Sequence, residues 1–155
     1  MVDELTQLEL WVTPLLAKLA PAQRRQLARI IALDLRRAQQ QRIAAQKAPD
    51  GTPYPPRKHR VESLRDKRGA ISRKKVAMFA KLRTATWLKA SATQESADVG
   101  FFGRVARLAR VHQEGGMDRA TPGGRMIRYP QRPLLGFSPA NRERVRDRLL
   151  EYLHS

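Results

Sequence analysis

The stretch from Val99 to Asn141 carries most of the structural punctuation in this chain and constrains its fold more than any other. Gly103 and Gly115 bracket a short run, Arg104 to Glu114, that reads as a helix with a glycine start and a glycine stop. Ser138 is a good N-cap, and Pro139 suits the first helical position because its missing N–H has no helical partner there. A final helix should therefore run from Pro139 to about Leu153. Between these helices, Arg132, Leu134 and Leu135 read as a strand, and a charge placed at Leu135 should break the sheet. Gly115 to Gly124 holds four glycines and one proline, so it reads as a loop. Met126 to Tyr129 reads as a strand that ends at Pro130.

Upstream, residues 3–20 place Leu5, Leu8, Val12, Leu15, Leu16 and Leu19 three or four apart, which predicts one face of a helix. Pro14 interrupts it: either the helix kinks there or two short pieces meet. The stripe serves as ordinary core or as a contact with a neighbouring subunit. Pro21 opens a second helix that continues to about Gln46. Leu27, Ile30, Ile31, Leu35 and Ala38 share one face, and Arg25, Arg29 and Arg36 fall on the other. Pro49-Asp50-Gly51 predicts a turn, and Pro53, Pro55 and Pro56 then forbid a helix. Met78, Phe79, Leu82 and Ala85 suit a short helix. Trp87 to Thr93 and Ala97 to Phe102 read as a β-hairpin turned at Gln94-Glu95-Ser96.

Residues 57–75 concentrate the charge. Arg57, Lys58, Arg60, Arg65, Lys67, Arg68, Arg73, Lys74 and Lys75 are opposed only by Glu62 and Asp66. These nine are the candidate contacts for a polyanion or a partner. The run has no aromatic residue to stack bases, so it is not a single-strand platform. It suits phosphate contact without sequence preference, or a solvated loop that orders on a partner. Arg104, Arg107 and Arg110 make a second basic stripe. The whole chain has a formal charge of +17 over 155 residues, which should attract acidic partners.

The chemistry of catalysis is missing. There is no cysteine, hence no disulfide framework and no cysteine-based zinc site. No Walker loop, dinucleotide glycine pattern, H-E-x-x-H or nucleophile elbow occurs. Asp50, Glu95, Asp98, Glu114 and Asp118 lie outside helical surfaces and are the carboxylates that a nuclease would have to bring together. His59, His112 and His154 lack coordinating spacing, and His112 reads as a hydrogen-bonded packing residue. No catalytic, cofactor or metal residue is assigned. No apolar run approaches the ~18 residues of a membrane span, and no secretory signal is expected.

The phrases AQKAPDGTPYPPRK, MFAKLRTATWLK, RLARVHQEGG and RPLLGFS, with the C-terminal amphipathic helix, resemble the tail completion (virion morphogenesis) proteins of contractile-tailed temperate phages. The resemblance covers nearly the whole chain. It implies a structural protein that completes the tail and prepares its head-proximal end for joining to the head. It also implies phage tail and head-tail connector proteins as partners, and a homo-oligomeric ring, for which six-fold symmetry would match a tail tube. Assembly in the bacterial host cytoplasm follows from the same resemblance, which leaves open a place at the tail end or neck of the virion. Nonspecific contact with DNA passing the lumen is compatible with the charge. No site residue carries over from the family.

The expected fold is α+β. A small antiparallel β-sheet is packed by N-terminal, short central and C-terminal helices, with long basic and Gly/Pro-rich loops. One domain, 1–155, should comprise a helical N-terminal arm (1–47), an extended basic loop (48–76) and an α+β core (77–155). The alternative function is nonspecific or regulatory nucleic-acid binding. Against it stand the missing recognition helix, stacking aromatics and zinc fingers.

Overall fold

A computed structural model describes residues 3–57 and 77–155. Helix α1 spans Glu4–Leu16 and α2 spans Pro21–Ala44. Strands β1 (Leu88–Ala92) and β2 (Ala97–Phe101) follow, then a 3-10 turn at Gly103–Val105 and helix α3 (Ala106–Glu114). Strands β3 (Met117–Arg119) and β4 (Met126–Arg128) precede the last helix, α4 (Pro139–His154). The fold is α+β, with two small two-stranded sheets, β1–β2 and β3–β4.

The chain folds into two compact units. The first takes residues up to Ala38, Lys89–Gly100 and Phe137–Ser155; the second takes Gln39–Leu88 and Phe101–Gly136.

In the first unit, Leu27, Ile31 and Leu35 from α2 meet Leu149 from α4. Val12, Leu16 and Leu19 pack on this cluster, as do Ala97 and Val99 of β2 and Val145 and Tyr152 of α4. The three- and four-residue spacing of the apolar positions puts them on one helical face, and the alternation in β2 does the same at a period of two. Helix α1 continues through Pro14, which sits in its final turn. Ser138 caps α4 as its sequence predicts: its Oγ accepts from Asn141 N, and Asn141 Oδ1 accepts from Ser138 N. The turn of the first hairpin is closed by Thr93 N donating to Ser96 O at 2.9 Å.

In the second unit, Ile43, Ala48, Tyr54, Leu82, Ala109 and Leu134 form the core. Four expectations are corrected here. Residues 132–135 belong to no strand; Arg132 N donates to His112 O, and the backbone of Leu134 and Leu135 is bonded by side chains rather than by a ladder. Leu134, not Leu135, is the fully buried leucine. Residues 78–87 pass through successive turns instead of a helix. At Phe79 a left-handed φ of 65° breaks any right-handed helix that would run through Met78 and Phe79. The Gly115–Gly124 stretch is not all loop, because β3 lies inside it and pairs antiparallel with β4. Gly115 ends α3 with φ 74°, and its N–H returns to Val111 O.

Candidate functional site

Glutamine side chains organise the second unit. Gln113 Oε1 accepts from Leu134 N at 2.8 Å and Leu135 N at 2.9 Å, while its Nε2 donates to Leu135 O at 3.0 Å. Gln39 Nε2 donates to Gly136 O at 3.0 Å. Arg42 reaches the same segment, donating to Gly136 O and Leu134 O at 3.1 and 2.9 Å. Gln46 treats Met78 in the same way: its Oε1 accepts from Met78 N at 2.8 Å and its Nε2 donates to Met78 O at 2.9 Å. A primary amide has both donor and acceptor, so it can stand in for a neighbouring peptide unit. The 132–136 segment is therefore fixed without a partner strand. Gly136 approaches Pro49 so closely that a Cβ there would sit 2.5 Å from Pro49 Cγ.

Arg132 closes the other end. It is 4% exposed, and its Nε and Nη2 donate to Pro55 O and Pro56 O, each at 2.8 Å. The proline-rich run offers carbonyls without competing N–H groups, which suits a guanidinium fork. Tyr54 donates from its hydroxyl to Pro133 O at 3.0 Å. Burial pushes the Tyr54 hydroxyl up to about 12, against the opposing pull of Arg42.

Beside this lattice lies a cavity of about 410 Å3, lined by Met78, Phe79, His112, Ile127, Tyr129 and Pro130 with Arg57, Arg128 and Arg132 among its walls. The His112 ring stands edge-on between Phe79 and Tyr129, at 4.8 and 5.0 Å between centroids. His112 is thus a packing residue as its position predicts. Its Nδ1, however, is buried without a hydrogen-bond partner, which corrects the expected bonded role. Burial, and then the charge of Arg132, hold its imidazole below the ordinary histidine range.

Of the nine basic candidates, Arg57 is described; it is exposed and lines the cavity. Lys58, Arg60, Arg65, Lys67, Arg68, Arg73, Lys74 and Lys75 lie outside the described residues. The Arg104–Arg107–Arg110 stripe is split by local partners. Arg104 sits 5.1 Å over the Trp87 ring, and Arg107 pairs with Asp118 at 3.2 Å. In the first unit, Arg25 and Arg29 face Ala90, Ser91 and Ala92 across a groove of about 300 Å3.

The carboxylates stay apart in function. Asp118 serves Arg107, Asp50 accepts from Thr52 N and Oγ1, and Asp98 accepts from Ser96 Oγ. Among the described residues no group of three His, Cys, Asp or Glu is placed to hold a metal ion. Among the described residues, no helix is long and apolar enough to cross a membrane. One inward feature escaped sequence reading: Asp34, an acid within the buried face of α2, is 9% exposed.

What the described surface presents is guanidinium and apolar carbon on small, side-chain-stitched units. The chain belongs to the phage virion morphogenesis family, whose model matches residues 3–154. It is 40% identical over 153 residues to tail completion protein S of Escherichia phage P2, covering 98% of this chain and 99% of that protein. No solved structure matches the chain.

Proposed function

We propose that this protein completes the phage tail and prepares its head-proximal end for joining to the head. The observation that carries this is the 40% identity with a tail completion protein across nearly the full length of both chains. Identity of that extent covers the chain from end to end, leaving no further domain of the relative unmatched. A structural role is in keeping with it, and so is the absence of any catalytic motif from the sequence.

The protein works as a ring at the tail end. A tail tube is cyclic, and a ring of identical subunits is the closed arrangement that matches it. The apolar side chains left in water on α1, Leu10 and Trp11, are the surfaces suited to neighbouring subunits. The partners are tail and head-tail connector proteins, and the net charge of +17 favours acidic surfaces on them. The basic residues from Arg57 to Lys75 serve that contact. The protein acts in the host cytoplasm during assembly and stays at the tail end of the virion.

In-vitro complementation tests this. An extract of cells infected by the phage lacking this gene is mixed with the purified protein, and infectious particles are counted. Restored infectivity is expected. An extract that the pure, folded protein leaves inert would contradict the proposal.

A further inference from the structure

The β3–β4 ribbon has two unlike faces. Its register sets Met117 opposite Arg128, Asp118 opposite Ile127, and Arg119 opposite Met126. Side chains opposite one another in an antiparallel pair share a face, and the next pair along takes the other. Asp118 and Ile127 therefore share one face, and both are accounted for within the second unit. Asp118 is 7% exposed and paired with Arg107, and Ile127 lines the cavity beside His112. The other face carries Met117, Arg119 and Met126, while Arg128, at the end of the ribbon, borders the cavity. Its methionines are 56% and 51% exposed, although the ribbon is only three residues long on each side.

We propose that this face docks an acidic protein surface with an apolar centre, and that the surface belongs to the tail; the second half rests on the tail-completion reading. Three observations choose this occupant. Met126 stands directly across from the exposed Arg119, with Met117 beside them on the same face, so apolar contact and positive charge are offered together. Two copies of this face set against each other would bring guanidinium against guanidinium, so face-to-face self-pairing is opposed by charge. A bare phosphate chain would engage Arg119 and leave both thioethers in water, with no gain from their exposure. Methionine, unbranched and polarisable, adapts to an irregular apolar patch on a partner.

The test uses the full chain and purified tails from a phage lacking this gene, with binding read by co-sedimentation. Met117→Glu/Met126→Glu should bind the tails at least about tenfold more weakly than the unaltered protein. Met117→Leu/Met126→Leu should bind nearly as well. Circular dichroism and elution volume should be unchanged in both, since the sites are exposed. Arg119→Glu probes the same face by charge alone, and decides the matter should the double glutamate variant fail to fold; it too should weaken binding. Equal binding by the unaltered protein and a folded glutamate variant would overturn the ribbon proposal and leave the tail reading standing. Failure of the unaltered protein to bind tails would overturn both. A glutamate variant that changes the oligomeric state of the free protein, with tail binding intact, would assign the face to a second copy and overturn the acidic occupant.

Discussion

Arg148 on α4 donates from Nε to Asp34 Oδ2 on α2 at 2.5 Å and from Nη1 to Glu151 at 2.9 Å. The two ends of this contact are unequal. The Asp34 side chain is 12% exposed, whereas that of Arg148 is 42% exposed. Hydrogen bonds to Asp34 and then Glu151 hold the Arg148 guanidinium above its ordinary value. Removing the arginine strands a nearly buried carboxylate with only Arg37 at 3.9 Å; removing the carboxylate leaves an arginine that water can solvate. Arg148→Ala should therefore lower the melting temperature more than Asp34→Ala does, and the double variant should recover part of the loss. Strictly additive melting shifts would show that the two residues are not coupled.

Gln113 bonds the backbone of residues 134 and 135 three times over. Gln113→Leu leaves two N–H groups and one carbonyl without that partner. At ~1 kcal/mol or more for each bond lost, the change should cost about 3 kcal/mol. Gln113→Glu should cost less, since a carboxylate still accepts from both N–H groups and only the donation to Leu135 O is lost. Urea unfolding of the three proteins gives the order. A leucine variant as stable as the glutamate variant would mean that these bonds contribute little.

Leu134 is 0% exposed in the core of the second unit, while Leu135 is half-buried. Leu134→Asp should prevent folding, because a buried, unpaired carboxylate costs several kcal/mol. Leu135→Asp should give soluble, folded protein of reduced stability. Soluble yield and circular dichroism separate the two. The reverse ranking would place the core on the wrong leucine.

His112 makes the stability pH-dependent in a defined sense. Its folded-state proton affinity is depressed, by burial first and by Arg132 second. Below its ordinary pKa of about 6.5, the unfolded chain takes up the proton before the folded chain does. The stability from neutral His112 is thus complete above about pH 6.5, falls as pH drops through that value, and levels off beneath the depressed folded pKa. His112→Gln should lose this component, so the gap between the two proteins should narrow as pH falls from neutrality. A constant gap would show that His112 does not titrate between the folded and unfolded states.

Where periodicity and caps decide structure, the sequence was enough. The stripes of α1, α2 and α4, the Ser138-Pro139 start, the Gly115 stop and the first hairpin all follow from local rules. Failures came where a partner lay far along the chain. Arg132 and Leu134 alternate as a strand does but pair with no strand. Their partners are Gln113, Arg42, the His112 carbonyl and two proline carbonyls, and alternation carries no information about those. Strand β3 was hidden because its apolar residue, Met117, faces outward between glycines. Asp34 was passed over because an acid on a helix usually faces water; its partner, Arg148, is remote in sequence. The arginine stripe on α3 was legible as charge. Its division between the Trp87 ring and Asp118 was not, since both partners come from other segments.

Electron microscopy of the particles made when this gene is silenced in its phage tests the central claim most directly. Filled heads lying apart from tails that end abnormally at the head-proximal side are the predicted result. Normally joined virions at the usual yield would contradict a role in completing the tail.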